Sequence, residues 1–171
     1  LSVTLDQYVN VPYAADLSLN TFSVAAWVNV SDLTGTRGIV GTRFNGDNTF
    51  DLKVDATRVH GDIGDGTNWL STAIDVPIIL LTGEWYHICY VFDDAADTVQ
   101  MYINGMLART MVVPGTFLFM KAGQDLRIGT DYPTEPFRGM IDDVRIYNCP
   151  LSPAEVAGLA DRTMPIYVPF E

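Results

Sequence analysis

Lysine is almost missing from this chain. Among its 171 residues only Lys53 and Lys121 are lysines, and ten basic residues face 21 acidic ones, giving a formal charge of −11. No basic stripe is present, which excludes nucleic acid, heparin-like polymers and anionic membranes as natural partners. An acidic surface suits neutral ligands, cationic ones or divalent metals. Glutamate is also scarce: Glu84, Glu135, Glu155 and Glu171 stand against 17 aspartates. Helices tolerate Glu better than Asp, and Asp favours turns and oxygen-ligand metal sites, so the chain reads as rich in strands and turns. Two histidines, His60 and His87, leave little room for zinc spacing, and no nucleophile elbow or phosphate loop is present. His87, inside an apolar strand, reads as a hydrogen-bonded core residue.

Hydrophobic runs are short. The longest, Val76 to Leu81, contains Pro77 and is too short to span a bilayer. No signal peptide or initiator Met is visible, so the segment reads as mature chain or as one module of something larger. There are two cysteines. Cys89 lies in an apolar strand as a small core residue, and whether it pairs with Cys149 is a question of geometry that sequence leaves open. Asn29-Val30-Ser31 matches a glycosylation acceptor, a triplet common by chance.

What is present is a succession of short strands. The hydrophobic fraction of 48% and the length fit one domain with a single core. Phe22 to Val30 puts Phe22, Val24, Ala26, Val28 and Val30 on one face, with Trp27 opposite. Thr49 to Val54 and Arg58 to Ile63 form a hairpin turning near Asp55, and Gly61, Gly64 and Gly66 bend the chain beyond it. Trp85 to Phe92 is apolar on both faces, as in a central strand. Thr98 to Ile103 points Val99, Met101 and Ile103 inward, and Asn104-Gly105 is a type I′ hairpin signal. Ser152, Pro153 and Glu155 make a capping box for one short helix, ending near Ala160. This pattern predicts two antiparallel sheets, with Trp27 and Trp85 mostly buried. The domain spans residues 1–161, and residues 162–171, with Pro165 and Pro169, form an extended tail or linker.

Strict alternation through Phe137 to Tyr147 puts Met140, Asp142, Val144 and Ile146 on one face and Ile141, Asp143, Arg145 and Tyr147 on the other. Both faces carry apolar residues, so at least one aspartate is expected to share a face with the core. A buried carboxylate needs a hydrogen bond, a cation or a metal.

Six pieces occur in order: Asp6 to Pro12, Phe22 to Val28, Gly83 to His87, Val99 to Gly105, Leu126 to Gly129, and the Asp142-Asp143 strand. Together they resemble the laminin-G-like jelly-roll domains of the concanavalin A-like lectin/glucanase superfamily. The resemblance implies an all-β, two-sheet jelly-roll sandwich. That fold hosts lectins, glycan-binding modules, adhesion modules and some glycosidases, so function does not follow from it. It also implies a structural calcium ion joining the first strand to the last long one, with Asp6, Asp142 and Asp143 as ligands; Gln7 stands where relatives often have a second acid. The alternative is that Asp6 caps a turn and that Asp142 or Asp143 pairs with Arg145 or Arg138. Glycosidases of the superfamily carry two Glu and an Asp on one strand, and the four dispersed Glu here do not match.

Binding is left. Asp65-Gly66-Thr67-Asn68-Trp69 sets an aromatic ring among short polar groups, so Trp69 is the candidate platform for a sugar ring, with Asp65 and Asn68 bonding hydroxyls. The competing role for Trp69 is to cover a sheet edge. Tyr13, Phe44 with Asn45, and Tyr132 are further loop aromatics. The reading is a non-catalytic, bacterial-style module of a secreted or cell-surface multidomain protein, binding a neutral glycan. The alternative partner is a surface protein, met by a calcium-stabilised adhesion module.

Overall fold

The computed structural model describes residues 2–3, 7–43, 48–69 and 74–161. Twelve strands and one helix run in order: β1 (Ser2–Val3), β2 (Val9–Val11), β3 (Phe22–Val30), β4 (Arg37–Gly41), β5 (Phe50–Val54), β6 (Arg58–Ile63), β7 (Ile74–Pro77), β8 (Trp85–Asp93), β9 (Thr98–Ile103), β10 (Met106–Val112), β11 (Leu126–Ile128), β12 (Gly139–Tyr147) and α1 (Pro153–Ala160). They form two six-stranded sheets, ordered β1-β12-β3-β8-β9-β10 and β2-β11-β4-β5-β6-β7. The pairings within them are antiparallel. This is the two-sheet sandwich that the strand pattern predicts and the jelly roll that the family resemblance implies.

Alternation places the core. From the first sheet, Phe22, Val24, Ala26, Val28, Ile88, Tyr90, Phe92, Val99 and Met101 point inward and are buried. From the second come Ile39, Phe50, Leu52, Val54, Val59, Ile63 and Ile74. Phe22, Phe50, Tyr90 and Phe119 pack ring against ring, with centroids 4.9 to 6.0 Å apart. Such a two-sided apolar layer is the main stabilising term of a sandwich.

The back of the first sheet is covered by α1. Ala25, Cys89, Val91 and Tyr102 meet Leu151 and Val156 there, which is why β8 is apolar on both faces. Ser152 caps the helix and Glu155 reaches back to the Ser152 amide at 2.7 Å. At the β9–β10 turn Asn104 and Gly105 adopt φ of 50° and 78°, as a type I′ turn requires. Trp27 and Trp85 are mostly covered, though less completely than the core residues. They share the back face with Ala25 and Cys89 but lie outside the patch that α1 covers.

Cys89 is buried and Cys149 exposed, and both are free thiols. Burial pushes the Cys89 thiol up to about 12, leaving it a core residue rather than a nucleophile. Asn29 is 6% exposed and donates its amide to the Gly83 carbonyl at 2.6 Å, so it offers no accessible glycosylation acceptor.

β12 departs from the expected alternation. Its register with β3 shifts between Asp142 and Arg145, and Asp143 takes φ 49°. This bulge changes the parity of the strand. Ile141 is buried before it, while Val144 and Ile146 pack on the core after it. Asp142 and Asp143 stand on the bulge itself and are exposed, so neither shares a buried face with the core.

Candidate functional site

Among the described residues, no helix covers the outer face of the second sheet. There β5 and β6 alternate apolar residues with charged ones, and the hairpin register sets Asp51 opposite Asp62 and Lys53 opposite His60. Asp75 on β7 pairs with His60 in register. The inward residues belong to the core, so these side chains all project to the same outer side.

They form a continuous ionic network. Lys53 Nζ lies 2.9 Å from Asp51 and 3.4 Å from Asp62. His60 holds Asp62 through Nε2 at 2.8 Å and Asp75 through Nδ1. Arg58 reaches Asp75 at 2.6 Å and Asp55 at 2.9 Å. Burial works against charge on the His60 ring, but its bonds to Asp62 and Asp75 outweigh this and hold its pKa above the ordinary value. Burial likewise opposes the Asp62 carboxylate, and His60 and Lys53 more than compensate, leaving it below the usual range. Asp51 is fully buried, and burial pushes it up despite Lys53 and Arg43.

At one end of the network stands Arg43. Its guanidinium is 3.0 Å from Asp51, 3.3 Å from Glu135 and 3.8 Å from Asp131. It also lies over two aromatic rings, 5.5 Å from the Trp69 centroid and 5.2 Å from that of Tyr132. Asp131 is 1% exposed, and neither carboxylate oxygen makes a hydrogen bond. It fits because Gly38 and Gly41 lack side chains, so their α-carbons leave it room. Burial and the nearby Asp51 push its pKa well above the carboxylate range.

Of the sequence-predicted ligand residues, Trp69 joins this face, half-buried and over Arg43. Asp65 and Asn68 spend polar groups on each other: Asp65 Oδ1 accepts from the Thr67 and Asn68 amides at 2.8 and 2.6 Å. They shape the turn that presents Trp69. Tyr132 is 38% exposed beside the same guanidinium, while Phe44 and Asn45 lie outside the described residues.

Of the expected calcium ligands, Asp6 lies outside the described residues. Asp142 accepts the Asp143 amide at 2.9 Å, and Asp143 pairs with Arg145 at 2.7 Å, the cation pairing weighed from the sequence. Calcium takes six to eight oxygens, so these two exposed acids would need Asp6 and backbone oxygens to complete a shell. Elsewhere among the described residues, Asp51, His60 and Asp62 bring ligand atoms within 4.8 Å of one another. The Lys53 ammonium already pairs with both of those carboxylates.

Sequence reading missed Arg43, Asp51, Lys53, His60, Asp62 and Asp131. For Asp51, Lys53, His60 and Asp62 a signal existed: charged residues at every second position of two strands that a turn folds together.

No helix among the described residues is long and apolar enough to cross a membrane. A comparison with curated proteins gives no match. Among solved structures, a putative carbohydrate binding protein from Bacteroides ovatus superposes with a TM-score of 0.75 at 18% identity, over 92% of this chain and 47% of that one. The chain thus spans about half the length of that relative. Domain 4 of AbnA, a GH43 extracellular arabinanase from Geobacillus stearothermophilus, in complex with arabinotriose, matches at 27% identity and a TM-score of 0.63, over 84% and 68% of the two chains. The CBM40 of Ruminococcus gnavus IT-sialidase, bound to α2,3 sialyllactose, matches at 17% identity and a TM-score of 0.71, over 85% of each. Residues 3–157 match a laminin-G family described as the concanavalin A-like lectin/glucanases superfamily, and the chain belongs to that family.

Proposed function

We propose that this chain is a non-catalytic glycan-binding module of a secreted or surface multidomain protein, and that it binds through the outer face of the second sheet. The observation that carries the proposal is the pairing, at one end of that face, of two partly exposed rings, Trp69 and Tyr132, with a dense set of charged hydrogen-bonding groups. Sugars offer apolar C–H faces to rings and hydroxyls to carboxylates and cations, so such a surface meets both. The carbohydrate ligands and names of the structural relatives support the same reading.

Catalysis is disfavoured by how the acids are used. Glycoside hydrolysis needs one carboxylic acid to give a proton and a second carboxylate across the bond. Here Asp62 is committed to His60 and Lys53 and Asp75 to Arg58 and His60, both below the usual carboxylate range, while Asp51 and Asp131 are buried away from the surface. Carboxylates held in ion pairs are poor proton donors.

The test is a glycan array probed with the chain, followed by calorimetry on the hits and on Trp69→Ala and Tyr132→Ala. Retention of at least one glycan, weakened in both variants with no release of reducing sugar, supports the proposal. Turnover of a polysaccharide, or binding that both variants leave intact, contradicts it.

A further inference from the structure

Arg43 is a cation caged by groups from three other parts of the fold. One ring, Trp69, follows β6, and the other, Tyr132, follows β11. The carboxylates come from β5 and from the segment after β11: Asp51 at 3.0 Å, Glu135 at 3.3 Å and Asp131 at 3.8 Å. Two ring faces and three carboxylates around one charge is the arrangement that recognises a cation. Asp131 adds a sign that the cage is incompletely used. Buried to 1% exposure, it keeps both oxygens free of hydrogen bonds, and its nearest cations, Arg43 and Lys53, stand at 3.8 and 3.9 Å.

An arginine side chain has many rotamers and can leave such a slot, whereas Asp51 is held on β5 and Asp131 is packed against Gly38 and Gly41 of β4. What replaces it must replace its charge. A neutral sugar would take a cation away from Asp51, Glu135 and Asp131 and leave Lys53 to balance the two buried acids, and an anionic one would be repelled. An ammonium restores the charge, sits over the same rings, and brings donors for the free oxygens of Asp131.

We propose that Arg43 is a built-in stand-in for the ligand and that this cage receives the ammonium of a free amino sugar, with Arg43 swinging out as it enters. The proposal rests on the glycan-binding reading of this face and names its substrate class.

The test is calorimetry on the full chain with four probes: a glucosamine tetramer, its N-acetylated counterpart, a glucose tetramer and tetralysine. The expected result is that the glucosamine tetramer binds about ten-fold or more tighter than the other two sugars, the gain of one desolvated cation over aromatic rings. Trp69→Ala and Tyr132→Ala each remove that preference. Arg43→Gln, which deletes the competitor, binds the glucosamine tetramer more tightly than the unaltered chain. In the unaltered chain, saturation with that tetramer speeds solvent exchange of the Arg43 Nε–H, followed by NMR, so the result does not depend on the variant folding.

Equal binding of the free and N-acetylated tetramers overturns the cation proposal and leaves the glycan reading standing. Absence of binding to any sugar defeats both. Tetralysine binding without glucosamine binding makes the cage a peptide site and overturns the proposal. Loss of binding in folded Arg43→Gln, or an Arg43 Nε–H that exchanges no faster at saturation, refutes the stand-in.

Discussion

Asp131 is seated against the bare α-carbon of Gly38. A methyl group there would stand 2.1 Å from Asp131 Oδ1 and 2.4 Å from its backbone nitrogen. Because backbone is involved, the clash has no side-chain escape, and the segment carrying Tyr132 must shift. Gly38→Ala is predicted to cost about 1 to 3 kcal/mol, as overpacking does, and to weaken glycan binding through Tyr132. Thermal unfolding and calorimetry read the two effects. Unchanged stability and binding would show that Asp131 does not fix this edge of the site.

The β12 bulge makes a separate prediction. Asp143 holds φ 49°, a conformation open to Gly and costly for a branched side chain. Asp143→Gly should therefore be neutral or slightly stabilising, and Asp143→Val should cost about 1 to 2 kcal/mol. Deleting Asp143 removes the extra residue and leaves Ile141, Val144 and Ile146 alternating on the core face, so the deletion variant should still unfold cooperatively. Loss of cooperative unfolding would mean that the bulge itself is needed to hold the strand.

The sandwich was legible because its strands alternate cleanly. Phe22 to Val30 and Thr98 to Ile103 declare their inward faces, and Asn104-Gly105 and the Ser152 capping box mark a turn and a helix start by local chemistry. The bulge at Asp142-Asp143 was not legible, since one extra residue leaves no trace in composition and strict alternation then assigns the wrong face. The site was half legible. Trp69 stood out as an aromatic in a polar bend, but Arg43, Asp131 and Tyr132 come together only through sheet order, with β11 beside β4. Asp65 and Asn68 stand out in the sequence as polar neighbours of Trp69, and their bonds within the turn become visible only in three dimensions.

His60 predicts a pH response. Its two nitrogens hold Asp62 and Asp75, and its folded pKa lies above the ordinary 6.5. The stabilisation it contributes is complete below that unfolded value and is lost as pH rises through the raised one. Asp62 and Asp75 lie below their usual 3.8, so their share is present above that value and lost in acid. The unfolding midpoint of the unaltered chain should therefore fall more steeply than that of His60→Gln as the pH rises above the ordinary histidine value. Parallel curves would mean the ring is not the charged bridge described.

The calcium proposal joins Asp6 to Asp142 and Asp143. Binding to the folded state alone raises stability by mass action. Calcium should thus raise the unfolding midpoint relative to chelator, and Asp142→Asn should erase the difference while leaving the midpoint in chelator unchanged. A midpoint indifferent to calcium removes the proposal and leaves Asp143 as the partner of Arg145.

The central claim is that a sugar docks where Trp69 and Tyr132 flank Arg43. Its most direct test is calorimetric titration of the best array glycan into the unaltered chain and into Trp69→Ala, with the unfolding midpoint of each recorded. Losing a stacked ring should weaken binding by about 1 to 3 kcal/mol, the scale of burying one large apolar side chain, with folding retained. A Trp69→Ala chain that binds as before while its midpoint drops would make Trp69 a structural cover and put the sugar elsewhere.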